Sequence, residues 1–407
     1  MFTQGWLVLG AVLLAVGLGV QAGGVVLVGA VLLLGAAVSY LSHRTCLVGV
    51  EVRRVLAPRR AFPGEQVVLT LEVTNRKVLP LAWLEVTDEL PEEVVPQRGR
   101  VVPSVRQRRQ HLVHLFTLRW YQRVRRRVPL HCTARGYFPL GPVRVRSGDL
   151  FGTTSRAVDL PQVDHLVVYP RVVPLVALGL PARHPLGDAA MPRPLLEDPA
   201  RTVGVRAYQT TDPYRRIHWK ATARLGRLQS RVYEATATHR VVVFLNLDTL
   251  GAYAEYRGFV RPLLELAIMV AASVTAWATT AGYPVGLIAN GYVREAVRRV
   301  RIAPALGTGH LRTILDALAR VLPTPMMPLG ELMSLESGAL PWGSTAVVVT
   351  AVVDPILAMG VRRLRAAGHA VTVILVGDQV EDPGWGVPTW RVREEAGWRA
   401  METIRPA

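Results

Sequence analysis

Residues 241–248 read VVVFLNLD, an apolar run that is long enough for a buried β-strand and too short for a core helix. Three later runs share this character, and stretches with helical spacing lie between them. Buried apolar strands that alternate with helices are typical of a parallel, doubly wound α/β sheet. The predicted strands are 241–248, 285–289, 346–353 and 370–377, and the predicted helices are 258–281, 309–322 and 355–367.

Polar residues follow two of the predicted strands at the positions where each strand ends. Asp248 closes the first run, and Thr350 and Asp354 lie at the end of the third. Ligands of open α/β sheets bind at the carboxyl ends of the strands, where the connecting loops gather. We therefore expect a partner-binding crevice at this edge of the sheet, with Asp248, Thr350 and Asp354 as its polar groups.

The segment before this sheet, residues 208–228, reads YQTTDPYRRIHWKATARLGRL and is dense in basic and aromatic residues. Asp212 suits a helix N-cap, and Pro213 suits the first helical position. Gly226 suits a helix terminator, so the spacing predicts a short helix over residues 213–225.

Ile217 and Trp219 cannot share one face of that helix, because they are two positions apart. We expect both side chains to be in contact, as in a segment wedged between domains, which is a structural role. The basic side chains of the segment would then bond backbone carbonyls or carboxylates such as Asp212; they are Arg215, Arg216 and Arg224. Binding of a protein partner is a second interpretation. Binding of single-stranded nucleic acid, which uses basic and aromatic residues, is a third.

Catalysis is the least favoured role for this segment, because His218 has no Ser or Cys nucleophile near it in a recognisable motif. A Walker A loop is excluded, since neither lysine of the chain, Lys77 or Lys220, follows a glycine. The sequence contains no G-x-S-x-G or H-E-x-x-H motif, and Cys46 and Cys132 form no C-x-x-C pair. The sequence therefore predicts a protein that is not an enzyme.

Residues 51–145 have the composition of β-strands, with β-branched and aromatic runs between turn formers. The clearest runs are VVLTLEV at 67–73, AWLEV at 82–86 and LVHLFTL at 112–118. This spacing predicts an immunoglobulin-like β-sandwich over residues 43–160. A proline-rich connector that includes the basic segment is predicted at 161–240, and the α/β domain at 241–407.

The first 42 residues are predicted to form a transmembrane hairpin. From Gly5 to Leu41, Gln21 is the one strongly polar side chain, and the stretch is too long for a single membrane helix of about 20 residues. Paired glycines after Gln21 supply a break between two short helices. Arginines are frequent after Leu41, which predicts a multi-pass protein of the plasma membrane with its bulk in the cytoplasm. A cleaved signal peptide and a buried soluble hairpin are the alternatives.

The chain carries a formal net charge of +18, and its basic residues are arginines apart from Lys77 and Lys220. GC-rich coding and anionic partners such as lipid headgroups are two explanations of this bias. Residues 98–146 contain 13 Arg and no acid. Alternation along LRWYQRVRRRV predicts one cationic strand face, which either contacts an anionic leaflet or is solvated. Its expected members are Arg119, Tyr121, Arg123, Arg125 and Arg127.

The basic segment resembles the defining motif of a bacterial family, domain of unknown function 58, commonly written Y-x-x-G-D-x-x-R-x-I-x-W-K-A-S/T-A-R. In this chain the motif residues are Tyr208, Asp212, Arg215, Arg216, Ile217, Trp219, Lys220 and Arg224. Thr211 stands where the family usually has Gly, so the turn there is expected to differ locally. Residues 135–152, 167–175 and 304–321 are similar to other segments of the family.

The resemblance implies a membrane hairpin, a β-sandwich and a von Willebrand factor A-like domain, encoded beside a MoxR-type AAA+ ATPase. A-type domains often hold Mg²⁺ through D-x-S-x-S, whose oxygens are hard ligands. Here the two serine positions are Leu250 and Ala252, so no metal or other cofactor is expected. A weak site at Asp248, Thr350 and Asp354 stays open.

The residues and the resemblance together predict a membrane-anchored adaptor without catalytic activity, whose A-type domain binds protein and whose partner is the ATPase. The alternative is a module that binds anionic lipid or nucleic acid through its Arg-rich surfaces, and of these two ligands nucleic acid is the less favoured.

Overall fold

The computed structural model describes the chain apart from residues 1, 150–151, 153, 181–196, 211, 213, 236–239, 251–257, 294–298, 379–383 and 394–407. The chain divides into two compact units, Met1–Tyr169 and Pro170–Ala407. The predicted connector at 161–240 is therefore shared between them, with its first residues in the first unit.

Two apolar helices begin the first unit, α1 (Phe2–Gly19) and α2 (Gly23–Thr45). The break between them is shorter than predicted, because Gly23 already begins α2 and the positive φ of 52° falls on Gln21. The helices pack closely at their glycines. A Cβ on Gly29 would lie 2.7 Å from the backbone nitrogen of Leu14. Small residues allow two apolar helices to approach in this way.

Helix α2 is long and apolar enough to cross a membrane, and the apolar part of α1 is the shorter segment Gly5–Gly19. A later helix, Arg261–Thr280, passes the same test of length and composition, but most of it is buried inside the second unit. That later helix is therefore part of a protein core.

Twelve β-strands complete the first unit in three sheets. The first sheet has the order β1-β3-β8-β5 and contains β1 (Val50–Ala57), β3 (Gln66–Asn75), β5 (Val94–Pro96) and β8 (Arg123–Cys132). The second has the order β11-β10-β4-β7-β6 and contains β4 (Leu81–Pro91), β6 (Arg100–Pro103), β7 (Arg109–Leu118), β10 (Val143–Gly148) and β11 (Ser155–Leu160). The third has the order β2-β12-β9 and contains β2 (Arg60–Ala61), β9 (Gly136–Leu140) and β12 (Asp164–Val168).

The two larger sheets form a sandwich-like core, as the alternation of apolar residues predicts. Leu69 and Leu71 of β3 are fully buried, and so are Leu84 of β4 and Leu112 of β7. Burying each such side chain contributes about 1.5–3 kcal/mol. The three strongest strand predictions are confirmed, because they fall within β3, β4 and β7.

A buried charge network joins all three sheets, and we call Arg54, Asp88 and Asp164 the Arg54 cluster. Arg54 of β1 donates from Nη1 to Asp88 Oδ1 of β4 at 2.7 Å and from Nε to Asp164 Oδ2 of β12 at 2.8 Å. Its Nη2 donates to the carbonyl of Leu140 at 2.9 Å. Burial raises the pKa of Asp88 to about 6, and the Arg54 guanidinium opposes that rise.

The cationic strand face is smaller than predicted. Arg123, Arg125 and Arg127 are exposed along β8. Arg119 and Tyr121 precede β8, and Tyr121 has a positive φ of 50°, so the expectation that they share this face is wrong. On the neighbouring strand, Glu72 pairs with Arg123 at 3.2 Å and with Arg125 at 3.3 Å, which neutralises part of the face.

The second unit begins with a hairpin of β13 (Glu197–Ala207) and β14 (Gln229–Ala235), which are antiparallel. Helix α3 (Trp219–Leu225) lies between these strands in the sequence and packs against β14. The basic segment of the sequence therefore forms the loop of this hairpin.

A six-stranded sheet with the order β17-β16-β15-β18-β19-β20 follows. Neighbouring strands are parallel except β16 and β17, which are antiparallel. The strands are β15 (Val241–Leu245), β16 (Val285–Tyr292), β17 (Arg299–Ala305), β18 (Thr345–Thr350), β19 (Ala370–Val376) and β20 (Thr389–Val392). The predicted α/β alternation is confirmed, and β17 and β20 are additions to it.

Four helices cover the sheet: α4 (Arg261–Thr280), α5 (Thr308–Arg320), α6 (Leu329–Glu336) and α7 (Pro355–Ala366). Residues of α6 and α7 share one apolar cluster with Phe244, Val348 and Val373 of the strands. Helix α4 contacts β15 and β18 but contributes no residue to that cluster, so it covers the opposite face. Both faces of the sheet are thereby removed from water, as a parallel sheet requires.

Candidate functional site

The strand order reverses between β15 and β18. From β15 the chain continues outward through β16 to β17, and from β18 it continues the other way through β19 to β20. In open α/β sheets the carboxyl ends of the two strands at such a point border the ligand-binding crevice. The crevice expected from the sequence therefore lies beyond Leu245 and Thr350, the last residues of these strands.

Three buried polar side chains tie the strand ends together at this point, and we call Asn246, Asn290 and Thr350 the amide cluster. Asn246 Nδ2 donates to Thr350 Oγ1 at 3.0 Å. Asn290 Nδ2 donates to Asn246 Oδ1 at 2.8 Å. The cluster thus links the ends of β15, β16 and β18 through neutral groups.

The amide cluster also fixes the loops that leave the strands. Asn290 Oδ1 accepts from the backbone N–H of Leu247 at 2.8 Å, and Asn246 Oδ1 accepts from that of Asp248 at 3.0 Å. Thr350 Oγ1 accepts from the N–H of Val352 at 3.1 Å. Neither asparagine was predicted from the sequence, although amides directly after two buried apolar runs were a usable signal.

The two predicted crevice carboxylates each bond nearby backbone. Asp248 Oδ1 accepts from the N–H of Leu250 at 2.9 Å. Asp354 is the N-cap of α7, and its Oδ1 accepts from the N–H of Leu357 at 2.6 Å. The structure therefore connects Thr350 to Asp248 through Asn246, and it places Asp354 at the start of the helix that follows β18.

The crevice residues fit a resident metal ion poorly. Thr350 Oγ1 accepts from Asn246 and Val352 and donates to the carbonyl of Val352 at 2.6 Å, so its hydroxyl is committed to protein partners. Asn246 Oδ1 already accepts two hydrogen bonds. Within the described residues, no group of three or more His, Cys, Asp or Glu side chains could hold a metal.

The basic segment is organised around a buried carboxylate. Asp212 accepts from the N–H of Gln209 at 3.0 Å and from Arg206 Nη2 at 2.5 Å. The Gln209 bond first, and then Arg206, hold the pKa of Asp212 below its ordinary value. Tyr208 donates its hydroxyl to the Asp212 carbonyl at 3.0 Å. Tyr208 and Asp212 therefore close one loop.

The prediction that Asp212 caps a helix over residues 213–225 is wrong. Helix α3 begins at Trp219, and its cap is His218, whose Nδ1 accepts from the N–H of Ala221 at 3.0 Å. The physical reason is that the Asp212 carboxylate is already bonded to the preceding loop. The predicted terminator is confirmed, because Gly226 has a φ of 63° and donates to Thr222. Thr211, Pro213 and the side chain of Arg215 lie outside the described residues.

The expectation that Ile217 and Trp219 are both in contact is half wrong. Ile217 is 5% exposed, whereas Trp219 is 67% exposed. No residue of α3 is buried, because this short helix packs on β14 and leaves its other side to solvent. We call the exposed side chains the motif surface; they are Tyr214, Trp219, Lys220 and Arg224, while Arg216 is half-buried.

Several solved structures have a likeness of low sequence identity to part of this chain. The CARDB domain of a Pyrococcus furiosus protein is 11% identical, with a TM-score of 0.19, over 29% of this chain and 89% of that chain. A type II cohesin domain from the cellulosome of Acetivibrio cellulolyticus is 9% identical, with a TM-score of 0.19, over 29% and 94%. Spo0M, a sporulation control protein of Bacillus subtilis, is 14% identical, with a TM-score of 0.18, over 30% and 49%.

Among curated proteins, the chain is similar to the uncharacterized protein YeaD of Bacillus subtilis (strain 168), with 22% identity over 207 residues. The match spans 50% of each chain, so this chain covers about half the length of that relative. A family model described as Protein of unknown function DUF58 matches residues 204–391, which include the motif and most of the α/β sheet. The resemblance carried by the motif is thus confirmed, and residues 204–391 belong to the DUF58 family.

Proposed function

We propose that the protein is a membrane-anchored, non-enzymatic adaptor whose second unit is a von Willebrand factor A-like domain that binds a protein partner. The observation that carries this proposal is the amide cluster at the reversal of strand order, because it bonds the first residues of the loops that leave β15 and β18. A rigid crevice binds a partner at a lower cost in conformational entropy than a mobile one. A MoxR-type AAA+ ATPase is the proposed partner, by resemblance to the family.

The strand order supports an A-type fold. When the six strands of this sheet are numbered along the chain from β15, the sheet has the order 3-2-1-4-5-6, with strand 3 antiparallel at one edge. This is the order of doubly wound folds, which bind their ligands at the carboxyl ends of strands 1 and 4.

The bonding of the polar groups supports binding rather than catalysis. The amides and hydroxyl of the amide cluster are held by one another and by backbone. His218 uses Nδ1 to cap α3, so this nitrogen is not available to accept a proton from a substrate. A general base needs a free acceptor within hydrogen-bond reach of its proton.

The helix pair supports membrane anchoring, with α1 and α2 as a hairpin that crosses the plasma membrane twice. Arginine lies in the last turn of α2 at Arg44 and follows the helix at Arg53 and Arg54, which supports a cytoplasmic location of both units. A reporter fused after Ala407 should then be active in the cytoplasm, and a reporter that is active only outside the cell would contradict this orientation.

Docking at the crevice is tested by removing the carboxylate charges of Asp248 and Asp354 while keeping side chains that can accept the same backbone hydrogen bonds. Asp248→Asn with Asp354→Asn keeps the shape of both side chains, and Asn is as good an N-cap as Asp. Calorimetry of the full chain in detergent against the MoxR-type ATPase of the same genome should show binding at least about tenfold weaker, equivalent to about 1.4 kcal/mol. EDTA should change the affinity little.

The matched control is Glu51→Gln with Glu92→Gln, which removes two exposed acidic charges of the first unit. Equal weakening by both double variants would assign the effect to net charge, and unchanged affinity of the crevice variant would contradict docking at this site. Repeating the titration at higher salt distinguishes the adaptor from the alternative, a module that binds anionic lipid or nucleic acid. Binding of lipid phosphate or nucleic acid through arginines weakens steeply with ionic strength.

A further inference from the structure

The end of α2 is fastened inside the first unit by a buried polar contact. Ser39 of α2 donates to Asp149 Oδ2 at 2.7 Å, and both residues are buried. Asp149 Oδ1 accepts from the N–H of Thr154 at 2.8 Å, and its carbonyl accepts from Trp83 Nε1 at 3.0 Å. A buried carboxylate is tolerated when it is hydrogen-bonded in this way. The helix is therefore held by the loop between β10 and β11.

A second fastener lies at the last turn of α2. Lys77 donates from Nζ to the carbonyl of Cys46 at 2.8 Å and to that of Thr45. A cation is favoured at a helix C-terminus, where carbonyls lack helical partners. Burial lowers the pKa of Lys77. The end of α2, from Ser39 to Thr45, is therefore packed against protein, and we call this part of the helix the seat.

The seat limits how much of α2 can cross a bilayer. A side chain that is bonded to the sandwich at Ser39 cannot lie in lipid hydrocarbon, so the crossing part runs from Gly23 to Val38. Its length is about 24 Å at a rise of 1.5 Å per residue, against about 30 Å for a typical hydrocarbon core. The lipid headgroups should therefore lie against the surface of the sandwich that surrounds the end of α2.

Three exposed arginines surround the seat, and together with Tyr40 and Trp83 we call them the rim. Arg44, in the last turn of α2, donates to the Tyr40 hydroxyl at 3.3 Å. The guanidinium of Arg146 on β10 lies 6.0 Å from the ring centre of Trp83. Arg156 on β11 lies opposite Ser147 of β10. Burial raises the pKa of Cys46, the C-cap of α2, and the charge of Arg156 is among those that oppose this rise.

The rim arginines differ from other arginines of the sandwich in their partners. Arg144, two residues before Arg146 on β10, is paired with Asp159 through bonds of 2.7 and 3.0 Å. Within the described part of the chain, Arg44, Arg146 and Arg156 have no carboxylate within ion-pair distance. Glu85 of β4 stands opposite Arg146 in the sheet without an ion pair within 4.0 Å, so among the described residues the rim offers the guanidinium groups of Arg44 and Arg156 without an acidic neighbour and that of Arg146 beside one.

We propose that the rim binds the phosphate of an anionic phospholipid headgroup, a site that rests on the membrane anchoring proposed above. Guanidinium groups bind phosphate oxygens in bidentate geometry, and Tyr and Trp side chains are enriched at the level of the headgroups. Each arginine near an anionic leaflet strengthens binding to it. A headgroup bound here would fix the depth of the hairpin and the orientation of the first unit on the membrane.

The test uses the full chain in detergent and dihexanoyl-phosphatidylglycerol as the probe, with binding followed by native mass spectrometry. The rim variant Arg44→Gln, Arg146→Gln, Arg156→Gln should bind this lipid at least about tenfold more weakly than wild type. The matched control Arg123→Gln, Arg125→Gln, Arg127→Gln removes the same charge from β8 and should bind within about twofold of wild type.

Two further probes identify the ligand. Dihexanoyl-phosphatidylcholine should bind wild type more weakly than the glycerol lipid does, and inorganic phosphate should compete poorly. Equal losses in both triple variants would show a diffuse charge effect and overturn the rim, as would unchanged binding by the rim variant. Competition by inorganic phosphate at the lipid's own concentration would make free phosphate the ligand and overturn the lipid assignment.

Carbonate extraction of membranes tests membrane anchoring by α1 and α2 independently of lipid binding at the rim. Wild type and the rim variant should both stay in the membrane pellet, because both keep the hairpin. Release of wild type by carbonate would contradict the anchor itself. Retention of both proteins, with equal lipid binding, would contradict the rim alone.

Discussion

The two units of this protein each contain a buried polar network, and the two networks differ in charge. In the first unit the Arg54 cluster buries a cation between two carboxylates and joins three sheets. In the second unit the amide cluster joins the ends of three strands of one sheet through neutral groups. Both networks connect residues that are far apart in the sequence.

The difference shows what each network can do. A buried ion pair leaves an uncompensated buried charge when one partner is lost, so the loss of either partner strongly destabilises the surrounding fold. A neutral network costs less to break and holds loops without adding a charge to the site. The charged network suits a structural core, and the neutral one suits the base of a binding crevice.

The largest expected effect comes from breaking the charged network. Arg54→Met leaves Asp88 buried without its cation and should lower the unfolding free energy by about 3–5 kcal/mol. The control is Arg53→Met, one residue earlier on the same strand and exposed, which should change stability by about 0.5 kcal/mol or less. Thermal unfolding of the full chain in detergent compares the two, and equal melting temperatures would show that the cluster is not the stabilising feature.

The same variant has a pH dependence with a defined sign. The pKa of Asp88 in the folded protein is raised from 3.8 to about 6, so its carboxylate lowers stability as the pH rises through that window. Removing Arg54 removes the charge that opposes this rise. The stability difference between Arg54→Met and wild type should therefore be larger near pH 8 than near pH 5.

A smaller effect is expected from breaking the neutral network. Asn246→Ala removes the partners of Thr350 and of the Asp248 N–H, and it should destabilise by about 1–3 kcal/mol. The backbone N–H groups of Leu247 and Asp248 should then exchange with deuterium faster than in wild type. Thr313→Ala, at an exposed position of α5, is the control. Unchanged exchange in Asn246→Ala would contradict the view that the amides fix the crevice loops.

The smallest effect on stability is expected at the motif surface, which belongs to neither network. Trp219→Ala removes an exposed side chain and should change the unfolding free energy by about 0.5 kcal/mol or less. Ile217→Ala, two residues earlier, removes a buried side chain and should cost about 2–5 kcal/mol. A melting temperature that falls more for Trp219→Ala than for Ile217→Ala would restore the wedge interpretation.

The four central strands of the α/β sheet were predictable because their signals are local, whereas β13, β14, β17, β20 and α6 were not predicted. The runs at β15, β16, β18 and β19 are apolar throughout, and the glycine that ends α3 follows its helix directly. Strand β17 was missed because it lies at the edge of the sheet and mixes exposed arginines with apolar residues. An edge strand is solvated on one side, so it lacks a continuous apolar run.

For the candidate site, the sequence pointed to the strand ends but did not reveal the two asparagines that join them. Asp248 follows the end of β15 and Thr350 is the last residue of β18, so both lie at the carboxyl edge of the sheet, as predicted. The asparagines beneath them were not singled out, since an amide after a strand is also common in ordinary loops. At the motif, the cap was assigned to Asp212 because local spacing does not reveal that the carboxylate is bonded to Arg206.

The sequence alone determined the apolar helix pair, the four central strands of the α/β sheet, several strands of the sandwich and the motif that places residues 204–391 in their family. These features depend on residues within a few positions of one another, whose spacing fixes periodicity and turns. Only the tertiary structure decided which buried polar atoms meet. Arg54 bonds Asp164, 110 residues away, and Asn246 bonds Thr350, 104 residues away. Such pairs depend on strand order and register, and these arise from the packing of whole sheets rather than from any local stretch of chain.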